Sequence, residues 1–587
     1  MRLSPRLQRT AIVAVAVAIG LPALRAPFFA DDMLHVAVLA ATAPGPVAAT
    51  PGDLFRFANG DVAQGRELMR EGLFPWWSDP RLRVGFFRPL TGLTHRLDYA
   101  LWGLNPFGYH LTNLVLWALM LLSAWALLVR LSPTPRAATL ALWIFALADA
   151  RALLIVWPAN RNALIAGALS FAALALWDGF RRGEGRWRGW AAVAAFALAM
   201  LSGEVAIGGL MLFAGYELAL MPDGGRFDRR RILTALPFAA IALAYVAAYK
   251  LLGYGVAHSG AYLDPMTSPL DWAKAASARY PVLLAGALWA WPVDLWVAGG
   301  EARRMLVAGA LALLVATPFV FAREVRSVRA ARAMAIGGAL ALLPVTSTFP
   351  TGRLLLVPSL AAAVLLGALV DAALARLAGT WVRRIAAAIV GLRALAAAPV
   401  LLAVSVAAIA GGFREMRDAA LRTQWPADVA RREVYLLDSV HWASATFVRP
   451  YLALEGRPAP RSVHVLNLSP YPAVLSRPSE RALELRLQCG AMLEGDFERT
   501  TRAEPLREGD EVDVGPFRAT VLEASGAGPT RVRFDFAPSD APASFYRWDG
   551  DKYVDLPPVP VGGSLELPAV AMGIGGIGAP APRCPPP

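Results

Sequence analysis

Residues 110–129 read HLTNLVLWALMLLSAWALLV, and this run decides the class of fold. Its only ionisable side chain, His110, stands at one end. At about 1.5 Å rise per residue, a helix of this length covers about 30 Å, the thickness of a bilayer's hydrocarbon core. Working outward, comparable stretches fall near 11–27, 137–150, 163–177, 189–203, 205–221 and 232–252, then near 281–298, 305–322, 333–348, 354–375 and 394–412. Composition agrees. Of the 587 residues, 56% are hydrophobic and 17% charged, with a mean hydropathy of +0.46; soluble domains carry about 25% charged residues. The chain therefore reads as an α-helical polytopic membrane protein.

The net charge of +13 needs no nucleic-acid partner, because basic residues of polytopic proteins gather in cytoplasmic loops. Here arginines crowd 1–10, 130–136, 179–188, 222–231, 323–332 and 376–393, and thin out in 149–162, 254–280, 299–304 and 349–353. That bias puts the N-terminus in the cytoplasm. Arg2, Arg6 and Arg9 precede a short apolar run that lacks a clean cleavage site, so it reads as a retained first helix. Pro281, Pro292 and Asp294 break the stretch 281–298, and counting it as a crossing would put Arg323, Arg326, Arg329 and Arg332 outside. It is expected to be re-entrant or interfacial. The expected topology is eleven crossings in a bacterial inner membrane, the C-terminal region outside.

The expected domains are 1–413, transmembrane; 414–570, a small β-rich extracytoplasmic domain; and 571–587, a Gly/Pro-rich disordered tail. The β reading rests on short alternating segments: Ser462–Leu468, Ala482–Leu487, Arg518–Leu522 and Thr530–Phe536. The glycine run 573–578 reads as linker. Within 28–108, a long first external loop, Phe74-Pro75-Trp76-Trp77, Trp102 and then Tyr109 suit a membrane interface. Two cysteines, Cys489 and Cys584, exclude a disulfide-built scaffold and any CxxC metal site; spacing leaves open whether they pair.

Ionisable groups at membrane depth are costly and come first for function. Asp31-Asp32, in Phe28-Phe29-Ala30-Asp31-Asp32-Met33-Leu34-His35, sits directly after the first stretch. Paired carboxylates can take a proton from a hydroxyl or hold a divalent cation against phosphate; equally, they can solvate a helix end. If a metal is used, this pair would hold it, with Mg or Mn the suited kind. His110 and Asn113 share a helix face, which serves a site or inter-helix hydrogen bonding alike. Arg161, Arg353, Glu204 and Lys250 map to outer ends of crossings, and Arg88 lies in the long first external loop. Arginine forks match phosphate, although snorkelling accounts for each alone. Asp371 and Glu217 lie towards the other side and receive no role. There is no P-loop, dinucleotide fingerprint, HExxH or GxSxG elbow.

These residues resemble the GT-C polytopic glycosyltransferases, in particular the branch with TMTC-type and other family-39-like protein O-mannosyltransferases. The resemblance covers roughly 10–412. Its most specific block runs from Phe87-Arg88-Pro89-Leu90-Thr91 through Leu97-Asp98-Tyr99 to Gly108-Tyr109-His110-Leu111-Thr112-Asn113. Ala159-Asn160-Arg161, Ser202-Gly203-Glu204 and Gly352-Arg353 through Pro358-Ser359 follow in the family's order. It implies transfer of a sugar from a polyprenyl-phosphate donor to an extracytoplasmic acceptor (protein, lipid or envelope polymer). Asp31 or Asp32 would align or deprotonate the acceptor, and Arg88, Arg161 and Arg353 would hold the donor phosphate. Two departures stand out: the β-rich region replaces the family's tetratricopeptide repeats, and Gly203 stands where a lysine is usual. A transporter or flippase for lipid-linked substrates, and an anchor presenting the outer domain, are the competing readings.

Overall fold

The computed structural model describes residues 4–43, 45, 47–219, 229–376, 379–574, 577–579 and 584. The chain forms two compact units. The first comprises 1–25, 86–253 and 264–407; the second comprises 26–85, 254–263 and 408–587. The stretch 28–108 is thus divided, its first part belonging with the C-terminal region and 86–108 with the helices.

The first unit is helical, and the chain is an integral membrane protein. Among the described residues, seven helices are long and apolar enough to cross a bilayer: Pro5–Arg25, Pro106–Leu131, Pro158–Arg181, Leu233–Leu251, Gly300–Ser327, Gly352–Leu374 and Trp381–Arg422. Pro135–Ala146 and Asp149–Val156 form a pair bent by 56°, and Trp187–Ser202 and Val205–Ala219 are shorter apolar helices. With Arg329–Val345, each of the eleven expected stretches has its helix. The deciding run shows why. Trp117, Met120, Leu121, Ala124, Leu127 and Leu128 are fully buried, whereas Val115, Leu119, Leu122 and Val129 on the same helix are exposed. A helix apolar on its outer face as well suits lipid. Its start is set by Asn105, whose side chain accepts from the Phe107 amide at 3.1 Å ahead of Pro106.

The stretch 281–298 is not one helix. Pro269–Trp289 ends at Ala290 with φ +52°, and a single 3-10 segment, Val293–Ala298, follows Pro292. The two acids set aside from function are tied to arginines. Asp371 accepts from Thr134 at 2.7 Å and pairs with Arg136, and Glu217 binds Arg181 at 2.6 Å. Of the basic segment 222–231, residues 222–228 lie outside the described residues.

The second unit is built on sheets. One has six antiparallel strands in the order Ser564–Leu567, Ala473–Ser479, Ala482–Leu487, Gly528–Phe536, Phe517–Ser525, Glu511–Asp513. A second has the order Tyr553–Asp555, Ala543–Trp548, Glu433–Leu436, Ser462–Val465, with Glu433–Leu436 parallel to both its neighbours. All four residues of Glu433–Leu436 are buried, as a strand covered on both faces requires. The alternating segments seen in the sequence are strands of these sheets. A third sheet pairs Arg56–Asn59, Arg83–Gly85 and Gly255–Ala257.

Two expectations are corrected here. Trp76 and Trp77 are buried in this unit, not placed at a membrane surface; their indole N–H groups donate to the carbonyls of Leu466 (2.9 Å) and Glu498 (3.1 Å), the partners a buried tryptophan needs. In the tail, Met572–Ile574 pairs antiparallel with Ile577–Ala579, and Cys584 is disulfide-bonded to Cys489. The described part of the glycine run is therefore paired strand rather than linker. The other residues of the expected disordered tail, apart from Ala571, lie outside the described residues.

Candidate functional site

In the first unit the polar residues singled out from the sequence fall into two charged groups and one scaffold. Arg88 immediately precedes the helix Pro89–Trp102 and its Nε donates to Glu204 Oε2 at 2.9 Å. The guanidinium also lies over the Phe86 ring, 4.3 Å from its centroid. Two bonds hold the flanking backbone: Thr91 Oγ1 donates to the Ser202 carbonyl at 2.7 Å, and Tyr245 OH donates to that of Phe87 at 2.8 Å. Gly203 has φ +153°, and a Cβ there would lie 3.2 Å from Asn162 Nδ2 and 3.5 Å from Arg88. Glycine therefore lets the Glu204 turn close against Arg88. Both partners of this pair keep partial access to solvent.

The second group surrounds Arg353. Its guanidinium lies 5.5 Å from the centroid of Trp157, and the amide of Gly352 donates to Asp294 Oδ1 at 2.9 Å. Asp149 and Arg353 are both near enough to act electrostatically on Asp294, and Arg393 pairs with Asp149 at 2.7 Å. Asp149, Asp294 and Arg393 were not selected as site residues from the sequence. Asp149 sits at the bend between two helices, Asp294 in a 3-10 segment and Arg393 inside the long helical span Trp381–Arg422, and no spacing pattern flags them.

Arg161 is enclosed. It is 0% exposed, forms an ion pair with Asp98 (1% exposed), and donates to the Tyr109 carbonyl at 3.0 Å. Thr112 Oγ1 completes the Asp98 carboxylate at 2.7 Å. Asn113 donates to the carbonyls of Leu154 (3.0 Å) and Ile155 (2.7 Å), just where the bent pair of helices leaves backbone acceptors in need. His110, on the same helix, is fully buried. Lys250 is paired with Asp264.

Asp31 and Asp32 belong to the second unit, in the first turn of the helix Asp31–Leu39. Asp32 is 2% exposed and its Oδ2 accepts from the Phe29 amide at 3.1 Å. Asp31 retains partial exposure. Ala30, directly before the pair, holds φ +48° and ψ −118°, a conformation that costs a non-glycine residue on the order of 1–3 kcal/mol. Phe29 stacks on Phe413 with ring centroids 3.8 Å apart, which fixes the strained turn from one side. His35 is buried edge-on to Phe55 at 4.7 Å.

Among the described residues, no group of three or more His, Cys, Asp or Glu side chains is arranged to hold a metal ion.

No protein-family model matches the chain, and no curated protein matches it. Among solved structures it is similar to ArnT from Cupriavidus metallidurans, in a structure bound to undecaprenyl phosphate. The identity is 16% and the TM-score 0.38, over 77% of this chain and 85% of that one. It is also similar to the oligosaccharyltransferase of Archaeoglobus fulgidus in its apo form, at 13% identity and TM-score 0.40. A third structure is AglB from the same archaeon in complex with an inhibitory peptide and a dolichol-phosphate, at 12% identity and TM-score 0.38. In each of the last two the match covers 77% of this chain and 64% of that one.

Proposed function

We propose that this chain is a membrane-embedded glycosyltransferase that moves a sugar from a polyprenyl-phosphate-linked donor to an acceptor on the extracytoplasmic face. The observation that carries the reading is the turn at Ala30. A backbone strained at a non-glycine residue, with the buried Asp32 carboxylate and the more accessible Asp31 immediately after it, is costly to keep for solvation alone.

In this reading an Asp31 or Asp32 carboxylate takes the proton of an acceptor hydroxyl as its oxygen attacks the sugar's anomeric carbon. The bond from that carbon to the phosphate oxygen breaks, and the lipid phosphate leaves carrying the electron pair. Arg88 and Arg353, the accessible guanidiniums, balance that charge, as bidentate donors do for phosphate. Glu204 and the Asp294 group hold them in place beforehand. His110, Asn113 and the Asp98–Arg161 pair support the scaffold, and Lys250 the adjoining helix end. A Mg or Mn ion bound at Asp31 and Asp32 would add positive charge against the phosphate.

The Cys489–Cys584 disulfide supports an extracytoplasmic place for the C-terminal region, since such bonds persist in oxidising compartments. The arginine distribution supports the same orientation, with a bacterial inner membrane as the setting.

The test is mass spectrometry of membrane polyprenyl-phosphate sugars and envelope glycans in cells with and without the protein. The expected result is accumulation of one lipid-linked sugar together with loss of one glycan in the deleted strain. Unchanged pools of both would reject the reading.

A further inference from the structure

An apolar hollow of about 410 Å³ opens in the first unit between the helices Pro269–Trp289, Gly300–Ser327, Arg329–Val345 and Leu356–Leu374. Its origin is legible in the side chains. Ala335 and Ala339 stand one turn apart on Arg329–Val345, and Ala361 and Ala362 line the hollow from Leu356–Leu374. Small residues on both helices leave space where leucines would meet. On Gly300–Ser327, Pro318 removes a backbone hydrogen bond at the wall, and neighbouring Thr317 accepts the Trp289 indole N–H at 3.0 Å while donating to the Leu313 carbonyl at 3.1 Å. The polar groups of the wall are therefore satisfied internally, and what faces the hollow is hydrocarbon.

One end differs. Arg326 lines the hollow and is exposed, and Arg323, Arg329 and Arg332 lie within two turns of it in the chain. The acid nearest in sequence, Glu324, is paired with Arg383. An apolar slot ending in a concentration of positive charge is matched by a molecule with a hydrocarbon chain and an anionic head. Basic pockets between membrane helices bind lipid phosphates in this way, and a volume in the range of small-molecule sites holds a single chain.

We infer that this hollow is a binding site for one anionic glycerophospholipid, an acyl chain lying along Ala335, Ala339 and Ala361 with the phosphate at Arg326. The site is independent of the transfer chemistry proposed above, and its failure would leave that reading untouched.

The experiment is native mass spectrometry of the full-length detergent-purified protein, titrated with phosphatidylglycerol, with phosphatidylethanolamine of the same chains, and with undecaprenyl phosphate. One phosphatidylglycerol is expected to bind per chain in preference to the zwitterionic lipid. Arg326→Gln, at an exposed position, should weaken it by about fivefold, the worth of one arginine near a lipid surface. Ala339→Leu should abolish it by filling the slot while leaving the headgroup residues in place. Equal binding of both phospholipids, indifference to the two substitutions, or preferential retention of undecaprenyl phosphate would each overturn the inference.

Discussion

Arg161 sets the terms at the level of single residues. Its charge is fully buried and compensated by Asp98, with the Tyr109 carbonyl taking a second N–H. Truncating one partner of a buried pair strands the other, at a cost of about 3–5 kcal/mol. Asp98→Ala should therefore lower the unfolding temperature of the purified protein in detergent far more than Glu204→Ala, whose partner Arg88 can turn to water. Ala30 makes the opposite prediction. Glycine adopts φ +48° freely, so Ala30→Gly should raise stability by about 1 kcal/mol, at the low end of the strain released, in the same thermal assay. Asp438 adds a pH dependence. It is 3% exposed, Oδ1 accepts the Trp548 amide, and burial pushes its pKa from 3.8 up to about 6. A carboxyl raised on folding contributes stability that is complete below about pH 3.8 and is lost as pH rises through about 6. Asp438→Asn keeps the amide acceptor and should remove that decline, which unfolding curves of both proteins across pH 4–8 would show.

At the scale of elements, the apolar stretches were legible because a helix in lipid announces itself by length and composition alone. The run 110–129 needs no knowledge of its neighbours to be read. The strands at Ala482–Leu487 and Gly528–Phe536 were legible for a related reason: alternation is local. What escaped was non-local. Trp76 and Trp77 carry an interfacial preference in their side chains, but the carbonyls that bury them stand 390 and 421 positions away. The tail was opaque likewise, since glycine and proline content says nothing of a cysteine partner 95 residues back. That disulfide closes a long loop, and by chain entropy is worth up to about 4.7 kcal/mol. Cys489→Ser should lower the unfolding temperature of the second unit, followed by tryptophan fluorescence, while reductant should reproduce the loss in the unsubstituted protein.

For the whole molecule, the long apolar stretches gave its membrane-embedded character, and even the Arg88–Glu204 pairing involves residues singled out from sequence. The sequence did not distinguish an accessible arginine from an enclosed one: Arg88 and Arg161 look alike there, and only packing separates a half-open ion pair from a sealed one. Nor did it show Asp149, Asp294 and Arg393 gathering about Arg353. The central claim is that the carboxylates of Asp31 and Asp32 perform chemistry. The most direct measurement compares lipid-linked sugars in deleted cells carrying either the unsubstituted protein or an Asp31→Asn/Asp32→Asn double variant, with membrane abundance and unfolding temperature matched. Accumulation of the same lipid-linked sugar in the double variant as in the deletion, from a protein that is folded and present, is the predicted result. A double variant that clears the donor as the unsubstituted protein does would contradict it and leave the pair a structural feature of the turn.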